Sequence, residues 1–401
     1  MTTELARRIA ITIGALLVFL LGRRIPVTGF WTSNGALPPS AVARLSVFSL
    51  GLIPYLSAAI LVRLLSLVWT RLGAIERSGE RGRARISRYT LLLTLLFTSF
   101  QGYGIATAIQ RIPEVAPDSG AWFVLSTAAS MVGGVFFLIW LSEQITRHGI
   151  GNGLALILSV AMIPDLPSEL AAILDLVRRG AVSGDLVLGH AALWIAMVVL
   201  IVVVESARRN VPVQFCERRI ADRVLPSRAA ILPIKINSAG YLVPVTVGPW
   251  LIYLPLAFAG LIFDADTPWL NAAYVYLHYG QPAHLIVGSL AVFLLAIVYT
   301  AFVIDPDHTA DSLTQQGGVI PGVPGGEATA EYLDRVVSST TLFGAAYLTV
   351  ISLTPEVFLA YGNALGYKMG GGAALIVVCT ILDLQTQVRE LSLTNPGGVR
   401  R

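Results

Sequence analysis

The sequence predicts an all-α protein that crosses a membrane ten times, and three observations carry that prediction. Hydrophobic residues make up 55% of the 401 and charged residues only 13%, with a mean hydropathy of +0.72. That balance is too apolar to coat a soluble fold with polar groups. Apolar runs recur along the whole chain, most of them near the ~20 residues a helix needs to cross about 30 Å of hydrocarbon. Basic residues collect in two of the connections between those runs, as they do on the cytoplasmic side of membrane proteins.

In order, the spans fall at 6–24, 46–69, 88–110, 121–146, 150–164, 187–206, 236–262, 284–304, 341–361 and 371–388. The first apolar run follows Arg7 and Arg8 as a signal peptide would. Gly22-Arg23-Arg24 and Ile25-Pro26 offer no small-residue cleavage site, so a retained first helix is expected. The second span, Ser46–Trp69, carries Gly51, Pro54 and Ser57. Such groups are tolerated where a helix faces protein or water rather than lipid, so a kinked helix is expected there. Leu52 and Leu56, four apart, share one of its faces. Pro244 and Pro249 interrupt the seventh span in the same way. Broken spans in second place of each set of five predict two inverted five-helix halves, 1–172 and 173–401, with the working passage at their interface.

Charge sets the orientation. Arg71, Arg77, Arg81, Arg83, Arg85 and Arg88 crowd the second connection, and Arg208, Arg209, Arg218, Arg219, Arg223, Arg228 and Lys235 the sixth. With ten spans both connections lie on one side, which the positive-inside rule makes cytoplasmic, together with both termini. The sixth connection, 206–232, carries six arginines, more than orientation requires. An exposed basic loop of this kind suits an acidic or RNA-bearing cytosolic partner.

Little in the sequence speaks for chemistry. Cys216 and Cys379 form no paired spacing. Asp305, Asp307, His308 and Asp311 read as a solvated acidic loop rather than a metal site, and Gly370-Gly371-Gly372 lacks the Lys-Ser/Thr ending of a phosphate loop. No triad and no intramembrane acid pair stands out, so no enzyme, cofactor or metal is expected, and driving energy must come from a partner or the membrane gradient. The alternative class is a secondary transporter for small solutes, which needs charged groups near the midplane. Those positions read as Leu, Val and Ile, with Arg63 and Asp383 near the cytoplasmic ends.

Eight stretches then carry a resemblance: SVFSLGLIPYLSAAI, SGERGRARISRYT, FQGYGIATA, WLSEQITRHGIGNGLALIL, VVVESARRNVPV, LPIKINSAGYLVP, FVIDPDHTADSLTQQGGVIPGVPGGEATAEYLDRV and ALIVVCTILDLQTQV. In content, order and spacing the chain resembles the SecY family, the channel subunits of the general protein-secretion translocase, over nearly all its length. The resemblance implies a clamshell of two halves with an hourglass passage. An aliphatic ring pinches that passage, and the ring falls here on Leu52, Leu56, Leu154, Leu158, Val245 and Ile376, with Thr246 the alternative to Val245. It also implies a sideways exit for apolar segments, lined by Ser57, Gln101, Asn237 and Tyr253. Implied partners are a SecE-like clamp, a SecG-like subunit, a SecA-like ATPase or the ribosome, preprotein substrates and membrane lipids. The implied location is the bacterial cytoplasmic membrane.

Two departures accompany the resemblance. The plug that follows the first span in the family is confined here to Trp31–Leu45, where Pro38, Pro39 and Ser40 suit a helix of one or two turns. In the connection 305–340 the family carries arginine in an Arg-Pro-Gly-Glu setting. This chain reads Gly322-Val323-Pro324-Gly325-Gly326-Glu327, with Pro324 at the arginine position and Gln315 and Gln316 where lysines are usual. Arg208, Arg209, Arg218, Arg219, Arg223, Pro324 and Glu327 are thus the expected partner-facing residues. The altered loop suits either a general secretion channel or an accessory one with a dedicated motor and restricted substrates.

Overall fold

A computed structural model describes residues 3–27, 45–110, 120–215, 218–220, 223–225, 228–263, 267–361 and 371–393. Among these, eight helices are long and apolar enough to cross a membrane, and two shorter apolar helices, Ile53–Val68 and Gly153–Met162, take the second and fifth places. The ten-span order expected from hydropathy is therefore present. The chain divides into two units, Met1–Leu174 with Thr380–Arg401, and Asp175–Cys379.

The first unit holds α1 (Thr3–Gly22), α2 (Ile53–Val68), α3 (Thr70–Arg77), α4 (Glu80–Gln110), α5 (Ala121–His148), α6 (Gly153–Met162) and α7 (Leu166–Arg178). The second span departs from expectation at its start. Residues 45–52 form turns, because Gly51 takes the left-handed conformation at φ +57° and Pro54 stands in the first turn of α2, where its missing N–H costs nothing. Proline therefore opens this helix and does not bend it. Leu52 caps the helix, and its carbonyl still accepts from Leu56 N at 3.0 Å, so the two leucines share a face. In α4 the polar stripe Thr90, Thr94 and Thr98 is buried, each hydroxyl donating to a carbonyl four residues back. That internal satisfaction is what makes hydroxyls affordable at membrane depth. Phe19, Phe48 and Phe137 stack in series at 6.1 and 5.8 Å, tying α1 to α5 through the turn before α2.

The second unit runs α8 (Gly184–Ser206), β1 (Arg208–Phe215), β2 (Arg218–Ile220), β3 (Arg223–Leu225), β4 (Arg228–Lys235), α9 (Leu242–Val247), a π-helical turn (Gly248–Tyr253) and α10 (Leu254–Ile262). It continues with α11 (Pro268–Tyr276), α12 (Pro282–Val303), α13 (Pro306–Gln315), β5 (Gly318–Val319) and α14 (Glu327–Tyr361). The last helix, α15 (Gly371–Leu393), gives its first residues to this unit and the rest to the other. The seventh span is broken as expected: Pro249 and Pro255 lack the N–H that an α ladder needs, and the helix widens to π geometry between α9 and α10.

Two expectations about the connections are corrected. The sixth is a β-hairpin, not an irregular loop: β1 and β4 pair antiparallel from Arg208↔Lys235 to Phe215↔Arg228, and Arg218↔Leu225 carries on the same register. Val211 and Val213 are buried while Asn210, Pro212 and Gln214 are exposed, the period of two that a one-sided sheet requires. The acidic stretch after the eighth span is a helix, α13. Asp305 Oδ1 caps it by accepting from His308 N at 3.0 Å, with Pro306 in its first turn. The plug stretch Trp31–Leu45 lies outside the described residues but for Leu45.

Candidate functional site

Each of the two units carries part of the expected constriction. In the first, Leu154 and Leu158 sit on α6, a helix of ten residues held by its entry turn. Asn152 caps it, its side-chain oxygen accepting from Leu154 N at 3.0 Å and Ala155 N at 3.4 Å. The turn is pinned by three other side chains: Thr12 Oγ1 accepts from Ile150 N, Gln387 Oε1 from Gly151 N and Thr146 Oγ1 from Gly153 N, all at 2.8 to 2.9 Å. Gly153 is irreplaceable here, since a Cβ would stand 2.0 Å from Ser142 O. Leu52, Leu56 and Leu158 are buried and Leu154 is half-buried. Both α2 and α6 pack on α5.

In the second unit Ile376 is buried on α15 and Val245 is half-buried on α9. Gly372, one turn before Ile376 on the same face, lies against α9, where a Cβ would meet Val245 Cγ2 at 3.5 Å and Pro244 Cβ at 3.7 Å. Thr246, the alternative, is buried with its hydroxyl turned back onto Leu242 O and Val243 O.

Of the residues expected at the seam, Ser57 is buried on α2 with no hydrogen-bond partner for its hydroxyl among the described residues, and Gln101 is half-buried on α4, which packs on α2. Asn237 lies in the turn between β4 and α9, so the bond it makes joins that turn to α8 and is not interhelical. Its Nδ2 donates to Glu205 Oε1 at 2.6 Å, and its Oδ1 accepts from Gly240 N at 3.0 Å. Tyr347 OH reaches the same carboxylate at 3.5 Å. Tyr253 ends the π turn and lies on the imidazole of His284, ring centroids 6.0 Å apart.

The residues expected to face a partner lie on the hairpin and on the connection before α14. Val211, Val213 and Ile234 of the hairpin, Ala310 and Leu313 of α13, Ile320, and Leu333 and Val337 of α14 form one buried cluster. It fuses the two connections into a single platform. Arg208, Arg209, Pro324 and Glu327 are exposed on it, and Arg218, Arg219 and Arg223 lie on β2 and β3 at the hairpin's far end. Thr329 Oγ1 donates to Pro324 O at 2.8 Å, fixing the turn into α14. A cavity of about 330 Å³ opens beside the sheet, floored by Val213, Phe215 and Leu232 and edged by His308 and Gln316.

The family model SecY matches residues 46–385. The chain belongs to the SecY family. The translocase subunit SecY of Escherichia coli K12 is 35% identical, with 98% of this chain and 93% of that protein covered. That of Vibrio cholerae is 34% identical, with 96% and 91% covered. The fold is that of solved SecY and Sec61 channels. A SecY structure described for its plug domain gives a TM-score of 0.72 at 18% identity, covering 98% of this chain and 94% of its own. Sec61 of a canine ribosome–channel complex gives 0.67 at 16%, with the same coverages.

Three acidic or basic residues inside this SecY fold escaped the sequence reading, which took the interior as aliphatic. Glu205 ends α8 beside a run of arginines, where it reads as surface. His284 and Glu356 form a buried pair on α12 and α14, seventy-two residues apart in sequence, and neither neighbourhood hints at the other.

Proposed function

We propose that this chain is the protein-conducting channel of a Sec translocase, passing unfolded preproteins across the membrane and releasing apolar segments sideways. The observation that carries the proposal is the set of six aliphatic positions, Leu52, Leu56, Leu154, Leu158, Val245 and Ile376, each buried or half-buried, five on helices and Leu52 at the cap of one. Such a ring excludes water and ions yet parts around a peptide. In this reading the halves are 1–172 and 173–401, the basic platform faces the cytoplasm with both termini, and the membrane is the bacterial cytoplasmic one. A SecE-like subunit clamps the halves, a SecG-like subunit accompanies them, and a SecA-like ATPase or the ribosome docks on the platform. The chain supplies no catalysis of its own. Reconstituted with the small subunit and a SecA-like ATPase in vesicles, it is expected to move a signal-bearing preprotein into a protease-protected lumen, and a substrate left wholly accessible would refute the channel.

Ser57, Gln101, Asn237 and Tyr253 line the sideways exit. Asn237→Leu removes an amide that satisfies a carboxylate and a backbone N–H, at a cost of about 2 kcal/mol. Preproteins with weakened signals are then expected to cross several-fold faster, and an unchanged signal requirement would remove Asn237 from the exit.

Pro324 marks the motor contact as altered, because proline offers no charge-assisted hydrogen bond. Pro324→Arg is expected to tighten a SecA-like ATPase about tenfold, the worth of one such bond. Equal affinities before and after the change would place the contact on the hairpin alone.

A further inference from the structure

The second unit holds a chamber walled largely by apolar side chains such as Val247, Ile252 and Leu353, with His284 and Glu356 as its polar corner. Its volume is about 250 Å³, and Tyr253, Tyr279, His284, Gly288, Ser352 and Glu356 are among the residues around it. His284 and Glu356 are both at least nine-tenths buried. His284 Nδ1 faces Glu356 Oε1, and the same oxygen accepts from Gly280 N at 2.9 Å. His284 Nε2 is buried with no partner among the described residues, so it turns to whatever the chamber holds. The space has room for several waters, and a buried orphan nitrogen calls for at least one. Two tyrosines enclose the imidazole, Tyr253 stacked on it at 6.0 Å and Tyr279 edge-on at 5.6 Å.

Three separate elements thus meet at one ring. His284 belongs to α12, Glu356 to α14, and Tyr253 to the π turn of the broken seventh span. That span is weak in its own backbone, because Pro249 and Pro255 each remove a rung and the ladder changes pitch between them. Side-chain anchors must hold it. Tyr274 OH, donating to Leu256 O at 3.0 Å, anchors α10, and the stacking on His284 anchors the π turn.

We propose that the His284–Glu356 pair is the positioning element of the seventh span. It fixes the imidazole as a platform for Tyr253, and the hydrated chamber is the space into which the span yields when the sideways exit opens. The pair therefore sets how apolar a segment must be to open that exit. The inference rests on the channel reading and on the place given there to Tyr253.

The test uses the full chain with its small subunit in planar bilayers. The probe is a synthetic Lys-flanked peptide with a core of about 12 leucine and alanine residues, the length of a signal core. The reading is the peptide concentration that gives half-maximal conductance. His284→Leu is expected to lower it about tenfold, the worth of a hydrogen bond to a charged group. The double variant His284→Leu with Glu356→Leu lowers it as well, and it keeps the fold because it does not strand the buried carboxyl of Glu356 as the single change does. His284→Gln, which can still donate to the carboxylate, stays within about twofold of the starting value. Gly288→Leu acts in the opposite sense: a Cβ there meets the His284 ring only at 3.8 to 3.9 Å, so the side chain fills the chamber and raises the concentration needed. Unchanged thresholds in the double variant and in Gly288→Leu, with the peptide still opening the unaltered channel, would overturn the positioning role alone. A peptide that fails to open the unaltered channel would overturn the channel reading and the positioning role together.

Discussion

Replacing Leu154 and Leu158 together with serine will make the closed channel leak ions. Both side chains project from a ten-residue helix whose entry is fixed by the Asn152 cap and by Thr12, Thr146 and Gln387, so neither has a route to swing aside and spare the seal. In the proposed channel the seal is a dewetting barrier, and hydroxyls at two of its positions would supply the hydrogen bonds that let water persist there. Conductance in planar bilayers is expected to rise at least about tenfold, while exchange of the same two leucines for isoleucine, which keeps volume and polarity, leaves it near the starting level. An assembled serine variant as tight as the parent would take α6 out of the constriction. Serine at Leu56 should act in the same direction, with a larger loss of stability, because Leu56 is already 3% exposed and packs as core as well as lining.

How much of this was legible in the sequence follows from which interactions are local. The ten spans were readable because each needs only its own apolar run. The break in the seventh span was readable from Pro249, whereas Pro244 stands inside α9 and interrupts nothing, and the π pitch was not readable, since it also depends on Pro255 and on the ring beneath Tyr253. The second span was misread at its start for a related reason: Gly51 and Pro54 suggested a kink, whereas a left-handed glycine followed by a first-turn proline is a helix entry. The hairpin was hidden by its arginines. They drew attention to charge, while the alternation of Val211 and Val213 with Asn210, Pro212 and Gln214 held the structural signal. The ninth span begins fourteen residues before its apolar run, at Glu327, because a platform core rewards Leu333 and Val337 for being helical where no membrane does. The His284–Glu356 pair lay beyond reach altogether, because only the packing of α12 on α14 brings the two residues together.

The platform core gives the second large effect. Leu333→Asp places a carboxylate where an α14 side chain, now 1% exposed, lies in the core that α14 shares with the hairpin and α13. The cluster around it is apolar, so a carboxylate there is desolvated unless the layers part, and the cost is roughly 4 kcal/mol or more. A small layer with one shared core has little reserve against such a loss. The hairpin is therefore expected to detach from α13 while the apolar spans, which owe it no packing of their own, stay inserted. Limited proteolysis should cut between Arg208 and Lys235 at least about tenfold faster than in the parent, and stimulation of a SecA-like ATPase should fall to near its basal rate. The peptide-gated conductance should survive, because the aliphatic ring and the His284 chamber lie on other residues. Loss of conductance along with docking would mean that the platform also braces the seventh span through Lys235, which ends β4, and Asn237 in the turn that leads to α9. Retention of both would mean that the hairpin holds its place by the β1–β4 ladder alone.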